Sequence, residues 1–164
     1  MISNTMVDAL NHQLNLELSS AYLYLGMAAH FEKENLQGFA HWMRRQEEEE
    51  RTHAFKFFDH IVERGAAVKL GVIAAPPVAW DSHLSLFEEV LQHEKQVTAA
   101  IYGLMDQATA ERDYATAQFL HWFVQEQVEE EAAATYVIER LKMVGESKSG
   151  LLYIDKELGK RSSE

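Results

Sequence analysis

Apolar residues recur along this chain at steps of three and four, the spacing that lines one face of an α-helix, and they do so over four long segments. The first stripe reads Leu10, Leu14, Glu17, Ala21, Tyr24, Ala28 and Phe31, and the second Phe39, Met43, Gln46, Glu50, His53, Phe57 and Ile61. The third is Phe87, Leu91, Glu94, Thr98, Ile101 and Met105. The fourth is Leu120, Phe123, Gln127, Glu130, Ala134, Val137 and Leu141. Near its middle, each stripe turns from apolar to ionisable or amide.

Stop signals between the stripes predict the elements. The first helix begins after Asn4 and runs to about residue 34, where Asn35 allows a short turn into a second helix spanning about 36–64. Gly65 stops it. A linker over 65–81, containing Pro76 and Pro77, leads to a third helix with Asp81 or Ser82 as N-cap. Glu111, Arg112 and Asp113 mark a tight turn into a fourth helix ending near Gly145. A short amphipathic piece over 151–158 follows Gly150, and the tail from 159 is expected to be loose.

Loop lengths then set the topology. Short turns after the first and third helices make antiparallel hairpins, whereas a 17-residue linker is too long for that. A helix of about 27 residues is about 40 Å long, and an extended linker of this length reaches roughly 56 Å, enough to cross the bundle end to end. The expected fold is all-α, a four-helix bundle over about 5–144 with one long crossover and a short C-terminal helix over about 150–159. The whole chain of 164 residues forms one domain.

Side-by-side packing of such helices brings Glu17, Glu50, Glu94, Gln127 and Glu130 to one level. An unpaired buried carboxylate costs several kcal/mol, a large part of the stability of a small domain, so a cluster of them implies a cation. Taken singly, the run Glu47 to Glu50 reads as a solvated face, as does Glu126 to Glu131, and His53 reads as a core histidine. Acids on four stripes at one depth argue otherwise. One imidazole among several carboxylates suits iron or manganese, since a structural zinc site favours nitrogen or sulfur and magnesium does not select histidine. Glu50 can bridge two ions, with His53 three residues on along the same face. At about 100° per residue, Glu130 lies between Glu129 and Gln127 around the fourth helix. Glu49, one step around from Glu50, can meet Glu126 and Glu129 on the flank and build a further, more exposed site.

Composition removes other classes. There is no cysteine, hence no disulfide, thiolate catalysis or iron–sulfur cluster, and the formal charge of −11 repels nucleic acid while attracting cations. No apolar run approaches a membrane span, and the first residues lack a basic region followed by an apolar stretch, so a cytoplasmic protein is expected.

The segments Asn15-Leu16-Glu17-Leu18, Glu49-Glu50-Arg51-Thr52-His53, His93-Glu94, Glu126-Gln127-Val128-Glu129-Glu130 and Gly150-Leu151-Leu152-Tyr153-Ile154-Asp155-Lys156-Glu157-Leu158 resemble those of the bacterial non-haem ferritins, over essentially the whole chain. The resemblance implies iron storage and a ferroxidase centre using dioxygen or peroxide. In it, Glu17, Glu50 and His53 hold one iron, Glu50, Glu94 and Glu130 a second, and Glu49, Glu126, Glu129 and Glu130 a third. It makes Tyr24 a hydrogen-bonding group and electron donor, Gln127 an amide near the second iron, and Trp122 an aromatic neighbour. It also implies a homo-oligomeric shell of twenty-four subunits.

Departures from sister families narrow this further. Related di-iron proteins carry a second Glu-x-x-His motif on the fourth helix, where this chain has Gln127-Val128-Glu129-Glu130. Arg51-Thr52 stands where the haem-binding relatives have methionine, so haem is not expected. Termini that are not basic, and a site within one subunit, set the chain apart from the DNA-protecting miniature ferritins. The rival reading is a structural or adaptor bundle whose buried acids are protonated or paired with arginine. Only Arg44, Arg45 and Arg51 lie near the cluster in sequence, and none falls on the Glu50 stripe.

Overall fold

The computed structural model describes residues 2–162. Helix α1 spans Asn4–Lys33 and starts at Ser3, whose hydroxyl accepts the Met6 amide N–H at 3.0 Å. The chain reverses through Asn35, at φ 60°, into α2, Gln37–Glu63, which ends before Gly65 at φ 72°. Ser82 and Ser85 form a reciprocal capping box at the start of α3, His83–Ala110. Asp113 caps α4, Tyr114–Val144, and Gly145 stops it. The last helix, α5, spans Lys148–Leu158 and starts earlier than the expected 150 because the Ser147 hydroxyl accepts the Gly150 amide N–H at 3.1 Å. Gly150 therefore lies inside its first turn.

Helices α1 and α2 pack as one hairpin and α3 and α4 as the other. Phe39 and Trp42, near the start of α2, meet Phe87 near the start of α3 at ring separations of 5.9 and 5.2 Å. The two helices thus begin at the same end of the bundle, and the crossover must run its full length. It is fastened on the way. The Asn11 side chain donates to the Ala67 carbonyl and accepts the Lys69 N–H, while Asn15, one turn on, donates to the Lys69 carbonyl and accepts the Gly71 N–H. Two amide side chains on α1 thereby satisfy backbone groups of a segment that has no strand partner. Farther along, a Cβ on Gly26 would come within 2.8 Å of the Pro76 ring, so the missing side chain lets the crossover lie close to α1.

Three of the four expected stripes are buried throughout. On α3 the buried line is Val90, Glu94, Val97, Ile101 and Leu104, with Leu91, Thr98 and Met105 only half-buried. Both lines share Glu94 and Ile101, and packing between α1 and α4 selects the one rotated by a residue. The apolar core falls into two parts. One, around Phe31, Phe39, Phe87 and Leu141, fills the end where α1 gives way to α2. The other, around Leu10, Phe57, Ile101 and Phe123, fills the opposite end. The polar residues of the stripes lie between them.

Candidate metal centre

Each helix brings its own carboxylate to that layer, and all four are deeply buried: Glu17, Glu50, Glu94 and Glu130. Glu17 Oε1 accepts the Gln13 side-chain N–H at 2.7 Å, a bond along one turn of α1. Glu94 Oε1 accepts the Tyr24 hydroxyl, and Glu94 Oε2 the Gln127 amide at 3.2 Å. Glu130 Oε2 accepts the Gln46 amide at 2.8 Å. Among the described residues, three buried side-chain polar atoms have no hydrogen-bond partner. Two are Glu17 Oε2 and Glu50 Oε2; the other is Arg45 Nε.

Those two oxygens face the same imidazole nitrogen. His53 Nδ1 stands 3.6 Å from Glu50 Oε2 and 3.9 Å from Glu17 Oε2. These gaps exceed hydrogen-bond lengths. Two donors each about 2.1 Å from one ion sit roughly 3 to 3.4 Å apart, so a cation fits among the three groups with a small contraction. Donor atoms of Glu17, Glu50 and His53 all lie within 4.8 Å of one another, and so do those of His53, Glu126 and Glu130. The ring thus serves both sides, its Nε2 standing 3.9 Å from Glu126 Oε2. Glu50, Glu94 and Glu130 form no group that tight. Glu94 holds its oxygens toward Tyr24 and Gln127, and it acts on the others through charge.

The electrostatics favour taking up a cation or protons. Burial, then the Glu50 charge, pushes the Glu17 carboxyl well above the usual carboxylate range. Burial, then Glu94, does the same to Glu50. Glu94 is raised chiefly by burial, and Glu130 is pushed up to about 7 by burial and the Glu94 charge. Without metal, the crowding of Glu17 and Glu50 favours a proton on the pair. As two ionised carboxylates, they leave their facing oxygens without a donor. Tyr24 is held protonated above its ordinary range by burial and by Glu94, Glu50 and Glu130.

The flank acids are more open. Glu49, Glu126, Glu129 and Glu130 line a cavity of about 190 Å³, and Glu129 is exposed, accepting the Gln125 amide at 3.0 Å. A second cavity, of about 340 Å³, opens between α2 and α4 and reaches His53 beside Trp122. Trp122 meets the His53 ring edge-on at 5.3 Å, with Lys56 over its own face.

Two buried amides and one arginine complete the surroundings. Gln13 was legible as the residue one turn before Glu17. Gln46 lies on the second stripe, but its tie to Glu130 depends on how α2 packs against α4. Arg161 carries no signal in the sequence, and it corrects one expectation. The tail is not loose at this residue: Arg161 donates to Gln46 Oε1 and to Glu49 Oε2, the latter at 2.7 Å, and lies over the Trp42 ring. An arginine from the far end of the chain thus joins Arg44, Arg45 and Arg51, which lie near the acids in sequence. It pairs with Glu49 and its charge eases that of Glu130, but it makes no ion pair with Glu17, Glu50 or Glu94. Residues 163 and 164 lie outside the described part.

The ferritin-like domain family matches residues 7–144. The bacterial non-heme ferritin of Bacteroides fragilis strain 638R is 43% identical over 161 residues, spanning 98% of this chain and all of that protein. The bacterial non-heme ferritin of Staphylococcus aureus strain MRSA252 is 40% identical, over 99% of this chain and 98% of that protein. Among solved structures, an open pore ferritin from the hyperthermophilic archaeon Archaeoglobus fulgidus superposes with a TM-score of 0.98 at 51% identity, covering 99% of this chain and 100% of the other. A humanized archaeal ferritin gives 0.99 at 49% identity, over 100% of this chain and 99% of the other. With four helices, the long crossover and an acid from each helix in one layer, the chain belongs to the ferritin-like family, alongside the bacterial non-haem ferritins.

Proposed function

We propose that this protein stores iron, oxidising Fe(II) at a dinuclear centre within each subunit and holding the ferric product inside a homo-oligomeric shell. The observation that carries this reading is the pair of buried, undonated oxygens of Glu17 and Glu50 facing His53. Fe(II) is the substrate. Glu17, Glu50 and His53 take one ion, and Glu50, Glu94 and Glu130 the other, Glu50 bridging the two. Each ion gives up one electron, and the pair reduces one dioxygen to hydrogen peroxide, or one peroxide to water, with two protons consumed per peroxide formed. Carboxylates favour this direction because hard anionic oxygen binds Fe(III) more strongly than Fe(II).

Around the centre, Tyr24 and Gln127 orient Glu94, and Gln46 orients Glu130. Glu49, Glu126, Glu129 and Glu130 give a third ion a stopping place next to the pair. Tyr24 lies near enough to lend an electron through Glu94. No group in this scheme requires haem. The family match and the ferritin structures that superpose over the whole chain support the storage role and a shell, which we take to have twenty-four subunits. We place the protein in the cytoplasm; among the described residues no helix is long and apolar enough to cross a membrane.

The direct test mixes anaerobic, metal-stripped protein with increasing Fe(II), adds oxygen, and follows ferric absorbance on the millisecond scale. A fast phase saturating at about two ions per chain establishes the pair, and saturation at about three brings in the flank. Oxidation no faster than in buffer leaves a structural bundle as the better reading.

A further inference from the structure

We infer that Arg161 is a built-in counter-cation of the flanking acidic site, which a metal ion must displace before it can take Glu49 as a ligand. This rests on the reading of Glu49, Glu126, Glu129 and Glu130 as that site.

The tail that follows α5 turns back onto α2 and is held there at several points. The Arg161 carbonyl accepts the His41 Nε2 proton at 2.7 Å, and the guanidinium lies 4.9 Å from the Trp42 ring centre. From that seat, one guanidinium nitrogen donates to Gln46 Oε1 and the other to Glu49 Oε2 at 2.7 Å. The arginine and Glu49 side chains are only 24% and 21% exposed, so water screens the pair incompletely. The same side chain forms one wall of the cavity lined by the four acids.

A guanidinium cannot lose its charge at any pH met in a cell. It therefore competes with an incoming ion twice, by occupying a Glu49 oxygen and by repelling the ion across a short distance. A divalent or trivalent ion prevails through its higher charge and closer approach to oxygen. A singly charged ion gains too little to do so. Arg161 in this way lowers the affinity of the flank for all cations and discriminates against monovalent ones, which suits a stopping place from which iron must move on.

The geometry also ties the flank to the inner pair. Because the Gln46 carbonyl accepts from Arg161, its amide is turned to donate to Glu130. Displacing the guanidinium frees Gln46, and the residue that reports the event is the carboxylate common to both sites.

The test is calorimetric titration of assembled, metal-stripped protein with Zn(II), which binds without redox chemistry. Wild type is compared with Arg161→Gln and Arg161→Lys, each first checked for an unchanged melting temperature. Removal of the charge in Arg161→Gln tightens the third ion by about three- to tenfold, more than any change at the first two. Arg161→Lys, which keeps the charge, stays close to wild type. A third ion bound equally or more weakly in Arg161→Gln overturns the inference while leaving the flank site in place. So does an equal change across all three ions, which makes Arg161 a general support. Binding of only two ions by all three proteins removes the flank site itself, and the role of Arg161 with it.

Discussion

Glu17 is the residue at which stability and chemistry pull hardest against each other. Its buried carboxyl has one oxygen satisfied by Gln13 and the other facing Glu50, so in metal-free protein at neutral pH it must hold a proton or endure repulsion. Glu17→Gln keeps the shape and the Gln13 contact but removes the charge. Its metal-free form melts higher than wild type at pH 8, by the equivalent of roughly 1–3 kcal/mol, and gains little on adding Zn(II). Paired calorimetric melts with and without metal measure both effects. His53 sits on both candidate groups through its two nitrogens. His53→Ala slows the fast phase of Fe(II) oxidation by roughly 10- to 100-fold or more while helical circular dichroism is retained, and an unchanged rate removes His53 from the mechanism.

At the scale of the elements, the surprise is how α5 is attached. The N-terminus of α2 begins at Leu36, which has no capping side chain, so its first amides need an acceptor from elsewhere. Asp155 of α5 supplies it, Oδ1 accepting the Gly38 N–H at 2.8 Å and the Phe39 N–H at 3.0 Å. A carboxylate at a helix N-terminus also gains from the helix dipole. The approach is so close that a Cβ on Gly38 would lie 1.6 Å from the Asp155 carbonyl oxygen, a distance no rotamer change relieves. Asp155→Ala costs about 1 kcal/mol through the lost cap, read as a shift in urea midpoint. Gly38→Ala costs more because α5 must leave its seat. Since Arg161 follows directly, the same variant frees the tail from Glu49. The amphipathic residues of α5 announced that it packs somewhere; the Gly38–Asp155 match identifies where.

For the whole molecule, a polar layer divides one bundle into two apolar cores, and the layer's charge depends on what fills it. Carboxyls whose folded pKa lies above the unfolded value bind protons more tightly when folded. Their contribution to stability is complete below about 4.5 and is lost as pH rises through the folded values, about 7 for Glu130 and raised likewise for Glu17, Glu50 and Glu94. Metal ions replace those protons. The rise in melting temperature on saturating Zn(II) is therefore larger at pH 8 than at pH 5, and binding at pH 6 releases protons, seen as a calorimetric heat that changes with the ionisation enthalpy of the buffer. A metal-induced gain independent of pH contradicts the assignment of these carboxyls to the ion sites.

Much of this was determined along the chain, because a helix turns a one-dimensional spacing into a face. The period of three and four placed Glu17, Glu50, His53, Gln127 and Glu130 inside, and loop length alone required the crossover. The third helix shows the limit. Its two candidate lines share Glu94 and Ile101, and only contact with α1 and α4 chose Val90 and Val97 over Leu91 and Thr98. What the tertiary structure decided lies between segments far apart in sequence: Asn11 and Asn15 on the crossover, Asp155 on Gly38, Gln46 on Glu130, and Arg161 on Glu49. Periodicity fixes which way a side chain faces about its own helix axis, but a hydrogen bond between segments far apart in sequence depends on how those axes are set against one another, and that is settled only when the cores pack.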